Sequence, residues 1–558
     1  MALCCFFSAI CAAHASDDSH QPRRQDFGDL TLLDVYGSYY EMGRQQMQLL
    51  GDDGRKQFEF QYAAYKSRAT GFRGRAFDLL LPVGAWVESV YDDSGLIDES
   101  RGFASGIGLR GSDGVRFLLG SLPSGSTTFA ATRSATGDGH ALIGRNVDWA
   151  DGDGRLRPVV VRFHPNNGDL AHMTAGWALS GGGALGLNEA GFAMSFNWFP
   201  GAYQPVRNGL PQWPNRRVLQ RARTVDEGIR IFQEANHRGV AAFITMADAV
   251  GNIAMVECTS DKCVVFRPDR DWFCVANHAQ TDEMIARDTV RTPDSFRRLA
   301  AMEDAVRPFL GRINPAIAAQ IIRDRSNSPY VNDSVVANPM VFNAAIIQPA
   351  TKTLWHSTRR QPSAPFGEMV ASTFSSPQPE PIAPDPQLSK PEMDHEVRLI
   401  AKLRRAERLF EQERIAESER AYDDLAGERS LEPQRLVWAR ARTRWTLGKL
   451  EEADSLLARL DLERSPFEIA IWSLAMRGVI ADWRGRRKEA LQAYQKAQDL
   501  LLANPQYRLP DVHKLITHGL ASPASEAEVP ATPDLQYALL YPGVLGLVMP
   551  RVRDGAAH

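Results

Sequence analysis

Cysteine is scarce in this chain. Six cysteines occur in 558 residues, and three of them lie among the first eleven residues. So low a count excludes a disulfide scaffold, and no residues stand at the spacing of zinc ligands, so neither a metal nor a cofactor is predicted. Cys258 and Cys263 are close in sequence. They either close a disulfide across a hairpin or remain two buried thiols.

An excess of one charge and a long apolar run are also missing. Lys and Arg number 64 against 67 for Asp and Glu, which gives a net charge of −3. A chain without a basic excess has no electrostatic field to hold nucleic acid, so nucleic acid is excluded as a partner. No apolar run beyond the N-terminus approaches the roughly 20 residues of a membrane-spanning helix, which excludes an integral membrane segment.

The first fifteen residues have the pattern of a secretory signal peptide. An apolar stretch is followed by Ala13 and Ala15, the small-x-small arrangement that signal peptidases accept. We therefore expect residues 1–15 to be removed and the protein to be periplasmic or secreted. No Lys or Arg precedes the apolar stretch, and the alternative is a short disordered or buried N-terminus.

Residues 26–374 alternate short β-rich runs with helical stretches. The predicted strands are 159–163, 192–196 and 242–246, and the predicted helices are 224–235 and 293–310. Turns rich in Gly, Asp and Asn separate these runs. Many brief strands with such turns favour an α+β domain whose sheets are layered and largely antiparallel.

Composition changes abruptly after residue 374. Residues 375–393 hold six prolines and hardly any large apolar side chain, which predicts an extended linker with few contacts. Residues 394–505 are rich in Ala, Leu, Arg and Glu with helical periodicity, so we expect an all-α region that folds independently of the first domain. Residues 506–558 form a tail with a mixed pattern.

A pattern of small residues recurs in the all-α region. Ser418, Ala453 and Ala490 are spaced by a period in the mid-thirties, and each is followed four positions later by a large side chain. The last two copies also share a preceding glycine. Such a period resembles that of tetratricopeptide repeats, in which paired helices stack because neither buries its apolar face alone. The alternative is an irregular helical bundle.

The segment 123–149 carries residues suited to catalysis. A Gly125-Ser126 step opens a strand, a Gly-Asp-Gly turn follows, and a second strand contains Arg145 and Asp148, so a hairpin brings the two ends together. If the bond after Gly125 breaks, Ser126 gains an α-amine whose ordinary pKa of about 7.7–8.0 suits a general base, and its hydroxyl is the nucleophile. Asp148 would orient the amine, and Arg145 would supply positive charge beside the reacting carbonyl.

An ordered set of motifs resembles one enzyme family. The motifs are Tyr36-Gly-Ser-Tyr-Tyr-Glu-Met-Gly-Arg-Gln-Gln46, Gly144-Arg-Asn-Val-Asp-Trp149, Gly186-Leu-Asn-Glu-Ala-Gly191, Ser195-Phe-Asn-Trp-Phe-Pro-Gly201 and Ala276-Asn-His278. Over residues 30–374 the chain is similar to the acyl-coenzyme A:6-aminopenicillanate acyltransferase-like hydrolases, relatives of the bile-salt and penicillin V amidases. The resemblance implies a four-layer αββα fold and a nucleophile exposed by autoproteolysis.

The resemblance also assigns residues to the site. It implies that Ser126 is the nucleophile, that Arg145 and Asp148 stand beside it, and that Asn197 and Asn277 bind the oxyanion and brace the nucleophile. Preorganised amide donors of this kind contribute about 2.7–4 kcal/mol each to the transition state of acyl transfer.

A further arginine of the family has a looser match. In Asp294-Ser-Phe-Arg-Arg298 we assign it to Arg298, with Arg297 as the alternative. His278 follows Asn277 and could be a general base, but we expect a structural role because the α-amine already serves as the base.

One position departs from the family, which has cysteine where this chain has Ser126. A thiol with an ordinary pKa of about 8.5 is partly ionised near neutral pH, whereas a hydroxyl depends wholly on an assisting base. The serine is therefore the weaker nucleophile. It is either a natural variant, an engineered substitution that traps a precursor, or the mark of a protein that has lost catalysis.

These observations predict an enzyme that hydrolyses, or transfers the acyl group of, an amide between an acyl chain and a small amine. The rival hypothesis is a binding protein in which a retired catalytic domain carries helical repeats, since repeat arrays often present a groove to a protein or peptide partner. Self-cleavage before Ser126 separates the two hypotheses.

Overall fold

The computed structural model describes most of the chain. The described residues are 21–68, 94–119, 125–148, 157–179, 185–202, 212–235 and 241–525, without 260, 329, 331, 333, 334 and 376. The expected signal peptide, residues 1–15, lies outside them, as does the end of the tail from residue 526. Among the helices of the described residues, none is both long and apolar enough to cross a membrane.

The strands of the described residues form two sheets. In chain order they are β1 (Arg23–Phe27), β2 (Leu30–Gly37), β3 (Gly125–Ala131), β4 (Leu142–Asp148), β5 (Pro158–Pro165), β6 (His172–Trp177), β7 (Leu185–Asn188), β8 (Phe192–Trp198), β9 (Ala242–Asp248), β10 (Ile253–Cys258), β11 (Cys263–Phe266), β12 (Trp272–Val275), β13 (Val341–Gln348), β14 (Thr353–Ser357) and β15 (Met369–Ser372). The predicted strands lie within β5, β8 and β9.

The nine-stranded sheet has the order β1-β2-β5-β6-β7-β8-β9-β10-β11, and the six-stranded sheet has the order β12-β3-β4-β13-β14-β15. Strands β2 and β5 pair in parallel. The other neighbouring strands of the described residues pair antiparallel. The predicted α+β class with largely antiparallel sheets is therefore confirmed.

Helices flank the sheets and fill the C-terminal region. The α-helices of the described residues are α1 (Tyr39–Leu50), α2 (Asp52–Arg68), α3 (Leu96–Gly106), α4 (Gly111–Leu119), α5 (Gln212–Arg221), α6 (Val225–Glu234), α7 (Asp282–Ile285), α8 (Pro293–Val306), α9 (Pro315–Ile322), α10 (Pro391–Glu411), α11 (Ile415–Asp423), α12 (Pro433–Thr446), α13 (Leu450–Ala458), α14 (Phe467–Trp483), α15 (Arg487–Ala503) and α16 (Pro510–Ala521). The two predicted helices correspond to α6 and α8.

Alternating side chains build apolar cores on both faces of each sheet. Along β9, Phe243 and Ala247 join a core that contains residues of both sheets, whereas Ile244 and Met246 join a core with α5 and α6. Successive side chains of a strand point to opposite faces. One face of the nine-stranded sheet is therefore covered by the other sheet, and the opposite face by helices. Phe129 of the six-stranded sheet lies in a core with α8 and α9.

The predicted hairpin is formed by β3 and β4. Gly125 lies opposite Asp148, and Thr128 lies opposite Arg145 in an antiparallel register. Gly139 in the connection has φ +77°, a left-handed conformation that glycine adopts without steric cost. The first residues of β3 and the last residues of β4 therefore lie side by side.

The C-terminal region consists of helix pairs. Helices α10 and α11, α12 and α13, and α14 and α15 pack as consecutive pairs, and α16 packs on α15. The recurring small residues are fully buried, and the residue just before the second helix's N-cap has a positive φ in each pair, at Glu413 (61°), Gly448 (74°) and Gly485 (70°). The same connection therefore recurs three times along the described chain.

The proline-rich segment makes more contacts than the sequence predicts. Ile382 exchanges two backbone hydrogen bonds with Met369, and the Asp385 amide donates to the Phe366 carbonyl. Arg323 donates to the Ala383 carbonyl at 3.1 Å. The prediction of few contacts is therefore wrong. Proline itself lacks a backbone N–H, but the residues beside it keep their amides and carbonyls, and those of Ile382, Ala383 and Asp385 form hydrogen bonds here.

The helical region also lies directly against the first domain. Trp198 and Met340 share a buried apolar core with Leu399, Leu403 and Tyr422. Burial of apolar surface stabilises by about 25 cal/mol per Å². The expectation that residues 394–505 fold independently rested on a linker with few contacts, and the bonds of that linker together with this shared core remove that basis.

Cys258 and Cys263 form a disulfide that joins β10 to β11. The sequence left two possibilities, a hairpin disulfide or two buried thiols, and the structure contains the disulfide. Cys274 is a buried thiol, and burial raises its pKa well above the ordinary value. The predicted tail begins with structure, because α16 lies within it.

Candidate active site

Ser126 lies at the start of β3 and is fully buried. Its hydroxyl Oγ accepts a hydrogen bond from Arg145 Nη2 at 2.8 Å. Its backbone N–H donates to Asn277 Oδ1 at 2.9 Å. The hydroxyl and the nitrogen that would become the α-amine are thus each held by a separate polar side chain.

The carbonyl oxygen of Ser126 accepts from two further side chains. Arg298 Nη1 donates to it at 2.9 Å, and Asn197 Nδ2 donates at 3.1 Å. Asn197 Nδ2 also lies 3.1 Å from the carbonyl oxygen of Ala276. Asn197, on β8 of the nine-stranded sheet, therefore braces the backbone of two neighbouring strands of the six-stranded sheet, at the start of β3 and at the end of β12.

Asn277 follows β12 and is fixed through its side-chain amide and its backbone N–H. Its Nδ2 donates to the Trp198 carbonyl at 2.7 Å, and its backbone N–H donates to Ser295 Oγ at 2.8 Å. Its Oδ1 accepts from the Ser126 amide and, at 3.1 Å, from Arg298 Nη2. An amide held in this way presents its oxygen, and not its nitrogen, to Ser126.

Arg298 and Arg297 diverge, although they are adjacent in sequence. Arg298 is fully buried and donates to Thr127 Oγ1 at 3.1 Å and Asp294 Oδ2 at 3.0 Å, in addition to its bonds in the site. Arg297 points the other way and binds Glu468 of α14. Successive residues of a helix face directions about 100° apart, so only one of the two can reach Ser126.

Asp148 faces the helices rather than the cleft between the sheets. Its Oδ1 accepts from Asn338 Nδ2 at 2.9 Å, and its Oδ2 lies 3.6 Å from Arg298 Nη1. It lies directly across the hairpin from Gly125. Asp148 is therefore paired in the hairpin with the residue whose carbonyl carbon would be attacked.

Burial controls the charges of the site. Desolvation lowers the pKa of Arg145 to about 9, although the nearby Asp148 opposes the shift. Because that pKa lies above 7, Arg145 is a cation at neutral pH. Desolvation, with Arg291 and Arg298 nearby, lowers the pKa of His278 to about 3. His278 is therefore neutral at pH 7.

His278 packs within the protein rather than toward Ser126. Its Nδ1 lies 2.7 Å from Ser295 Oγ, and its ring stacks on Phe296 with centroids 3.8 Å apart. No contact between His278 and Ser126 occurs among the hydrogen bonds of the described chain. This placement agrees with the structural role that the sequence favours.

The structure brings all six predicted side chains together around the Gly125–Ser126 bond. It also adds residues that the sequence analysis did not single out. Thr128 Oγ1 donates to Asn197 Oδ1 at 2.8 Å, Ser295 accepts from Asn277, and Asn338 donates to Asp148. Thr128 lies on the same strand face as Ser126, two residues on, which was a signal available in the sequence. No sequence signal pointed to Asn338, because it lies in a loop far along the chain from Asp148.

Among the described residues, no group of three or more His, Cys, Asp or Glu side chains could hold a metal ion. The side chains that bind Ser126 are two arginines and two asparagines, and the Asp148 carboxylate lies against one of these arginines. This set can fix a hydroxyl, an amine and a carbonyl, which are the groups that take part in acyl transfer.

Comparison with known proteins adds a partial match. The family model of acyl-coenzyme A:6-aminopenicillanic acid acyl-transferase matches residues 134–360. No curated protein matches the chain significantly.

Solved structures with a local likeness include an acid amidase and a bile acid hydrolase. One is the Caenorhabditis elegans ortholog of N-acylethanolamine-hydrolyzing acid amidase, at 16% identity, with 40% of this chain and 93% of that chain covered and a TM-score of 0.30. Another is a mutant of the conjugated bile acid hydrolase from Clostridium perfringens, at 13% identity, with 48% and 93% covered and a TM-score of 0.30. The sequence likeness to the acyl-transferase family therefore lies in residues 134–360, which contain Arg145, Asp148, Asn197, Asn277 and Arg298 and begin after Ser126.

Proposed function

We propose that this chain is an autoproteolytically activated amidase or acyltransferase whose nucleophile is Ser126. The observation that carries the proposal is the set of bonds on one residue: Arg145 holds the hydroxyl, Asn277 the amide nitrogen, and Arg298 with Asn197 the carbonyl oxygen. An ordinary buried serine needs no such set of partners. The family match to residues 134–360 supports the same class of reaction.

Self-cleavage begins with attack of Ser126 Oγ on the carbonyl carbon of Gly125. The C–N bond breaks as the nitrogen takes up a proton, which leaves an ester between Gly125 and Ser126 Oγ. Water then hydrolyses the ester to a Gly125 carboxylate and a Ser126 with a free α-amine and a free hydroxyl. Gly125 has no side chain to obstruct the attack.

In turnover the α-amine removes the hydroxyl proton as Oγ attacks the carbonyl carbon of an amide substrate. The tetrahedral intermediate expels the amine, which leaves with that proton, and an acyl ester remains on Ser126. Water or a second amine then releases the acyl group. Because Ser126 is fully buried in the intact chain, cleavage before it would let the new N-terminus move and open a path for substrate.

The remaining groups have defined parts in this scheme. Asn197 and a backbone N–H stabilise the oxyanion, a kind of interaction worth about 2.7–4 kcal/mol per donor. Arg145 adds positive charge beside Oγ, and Asp148 orients the α-amine. Asn277 braces the nitrogen, and Arg298 holds the Ser126 carbonyl in place.

The proposal extends to the architecture and the location. We assign the two facing sheets with outer helices to the four-layer αββα arrangement, and the helix pairs to tetratricopeptide-like repeats, which is supported by their recurring connections. The substrate is a small molecule with an acyl chain on an amide. We assign the protein to the periplasm or the exterior, on the basis of the apolar start that ends at Ala15.

Intact-mass spectrometry of purified protein tests the proposal. We expect a large fragment that begins at Ser126, a single uncleaved chain for Ser126→Ala, and cleavage at least as complete for Ser126→Cys, because a thiol is the better nucleophile near neutral pH. An N-terminal sequence of the fragment fixes the cut to the bond after Gly125.

Two results separate the alternatives. If the serine protein stays intact while Ser126→Cys is cleaved, the site is able to catalyse self-cleavage, and the serine keeps the chain in its precursor form. If neither is cleaved, or if Ser126→Ala still is, the nucleophile assignment is wrong, and the rival function, a binding module built on the helix pairs, is preferred.

A further inference from the structure

We propose that the C-terminal helical region positions the catalytic groups by clamping helix α8. This inference rests on the proposed function, because the groups that it positions are the candidate catalytic residues. The helical region would then be a working part of the active site and not an appended module.

Helix α8 connects the two regions through opposite faces of one turn. Ser295 and Arg298 lie three residues apart on its inner face, and both are fully buried. They hold the Asn277 amide and the Ser126 carbonyl, respectively. Phe296 and Arg297 lie between them on the other face and contact the C-terminal region. Any tilt of this turn therefore moves Asn277 and the bonds to Ser126 together.

Arg297 forms a two-pronged ion pair with Glu468. Its Nη2 lies 2.8 Å from Oε1, and its Nη1 lies 3.1 Å from Oε2. The Glu468 side chain is 3% exposed and that of Arg297 is 25% exposed. A bidentate pair fixes orientation as well as distance. Glu468 lies in the first turn of α14, where a negative charge is stabilised by the helix dipole.

Aromatic rings form a second connection. Tyr507 packs against Phe296 with ring centroids 5.3 Å apart, and against Phe467 at 4.7 Å. On its other side Phe296 stacks on His278, the residue after Asn277. Close-packed rings transmit displacement because the interior has few voids. A path of direct contacts thus runs from α14 to the asparagine that holds Ser126.

Backbone hydrogen bonds form a third connection, just before the start of α8. Arg291 and Arg508 exchange two backbone hydrogen bonds of 3.0 Å, and Arg291 Nε donates to the Gln506 carbonyl at 2.9 Å. Backbone bonds resist shear because both partners are fixed within their own chain segments. The start of α8 is therefore tied to the segment that leads into α16.

The test uses full-length chains made by cell-free translation, so that self-cleavage can be followed from synthesis onward. Arg297→Gln and Glu468→Gln remove the ion pair and should each slow cleavage on the order of tenfold, since misplacement of a catalytic group by about 1 Å can lower a rate by 10²-fold. The double variant should be no slower than the slower single variant. Arg297→Lys retains the charge but not the two-bond geometry, so it should recover only part of the rate.

The matched control is Arg477→Gln, which removes an ion pair of 3.2 Å with Asp454 inside the helical region. It should leave the cleavage rate unchanged. Hydrogen exchange of the same substitutions in a Ser126→Ala chain gives a readout that needs no catalysis. Exchange should rise in residues 276–278 and 294–298 for Arg297→Gln and Glu468→Gln, and not for Arg477→Gln.

The proposal is wrong if Arg297→Gln and Glu468→Gln cleave at the rate of the unsubstituted chain, or if Arg477→Gln slows cleavage equally. It is also wrong if hydrogen exchange at residues 276–278 and 294–298 does not change. Failure of the proposed function looks different. In that case neither the serine nor the cysteine chain cleaves, while hydrogen exchange still reports whether the helical region holds α8.

Discussion

At the scale of single residues, the site depends on how the amide of Asn197 is turned. Its Oδ1 accepts from Thr128 Oγ1 at 2.8 Å, and the Thr128 hydroxyl also lies 3.1 Å from Ser195 Oγ. A donor on the oxygen forces the Nδ2 group to face Ser126. Thr128 is therefore a positioning residue for the candidate oxyanion donor.

Thr128→Val should impair both stability and self-cleavage. Valine has nearly the same shape but no hydroxyl, so Asn197 Oδ1 loses a buried donor, at about 1–3 kcal/mol of unfolding free energy. Urea unfolding measures the loss, and mass spectrometry measures the cleavage. Thr132→Val is the control, because Thr132 is equally buried and donates one 2.8 Å bond to Gly251, away from the site. Thr132→Val should lower stability and leave the cleavage rate unchanged. If Thr128→Val and Thr132→Val cleave at the same rate, Thr128 has no positioning role.

At the scale of elements, the connections within the three helix pairs share a left-handed residue, but the type of that residue differs. Gly448 and Gly485 hold the left-handed conformation in the last two pairs, and Glu413 holds it in the first, at φ 61°. A left-handed conformation costs an L-residue roughly 1–2 kcal/mol and costs glycine far less. The sequence pattern misses the first copy because the backbone, and not the side chain, is what repeats.

Substitution at these connections should change stability in opposite directions. A Cβ at Gly448 or Gly485 would meet nothing within 4 Å, so Gly448→Ala and Gly485→Ala should each lower the unfolding free energy by about 1 kcal/mol through backbone strain alone. Glu413→Gly should raise it. Thermal unfolding of the three variants is the measurement. A stabilising Gly448→Ala would show that the connection does not hold this conformation in solution.

At the scale of the whole molecule, the first domain and the helical region form one body. The proline-rich segment is tied down at Ile382 and Asp385, and Trp198 lies in a core with residues of α10 and α11. Proteolysis requires local opening, which buried cores and backbone bonds resist.

Limited proteolysis should therefore leave residues 377–390 intact under native conditions. Cuts should come first outside the packed regions, and no separate helical fragment should appear before the protein unfolds. N-terminal sequencing of the fragments is the measurement. Early release of a helical fragment that starts between 375 and 391 would favour the independent domain that the sequence predicts.

Stability should fall in mild acid. Burial lowers the pKa of His172 and His278 to about 3 and that of His356 to about 4. These side chains stay neutral when folded but take up protons in the unfolded chain below about pH 6.5, so the stability present at pH 7 is lost as the pH falls, by about 2 kcal/mol per histidine at pH 5. Burial raises the pKa of Asp288 to about 6 and also raises that of Glu257, which opposes the trend in part.

Urea midpoints at pH 7.5 and pH 5 measure the balance. We expect the midpoint at pH 5 to be lower, because three histidines act against two carboxyl groups. His356→Gln should reduce the difference between the two pH values. A higher midpoint at pH 5 would mean that Asp288 and Glu257 dominate.

Local patterns were sufficient for strands β5, β8 and β9, for helices α6 and α8 and for the β3–β4 hairpin, because alternation, helical period and turn residues act over short distances. They also placed Ser126, Arg145 and Asp148 together, since one hairpin carries all three. Asn197 and Asn277 came from a family resemblance, because nothing local indicates that β8 and β12 flank β3. Arg298 was preferred over Arg297 by motif alone.

Only the tertiary structure decided which way each residue of α8 points, and it did so by packing two regions on opposite faces of that helix. It turned Arg298 to Ser126 and Arg297 to Glu468. It also made the proline-rich segment part of the fold, since backbone groups find partners that composition does not reveal. The sequence by itself determined which chemical groups are present and which lie close along the chain. Their long-range neighbours depend on how separate elements pack, and no local pattern encodes that.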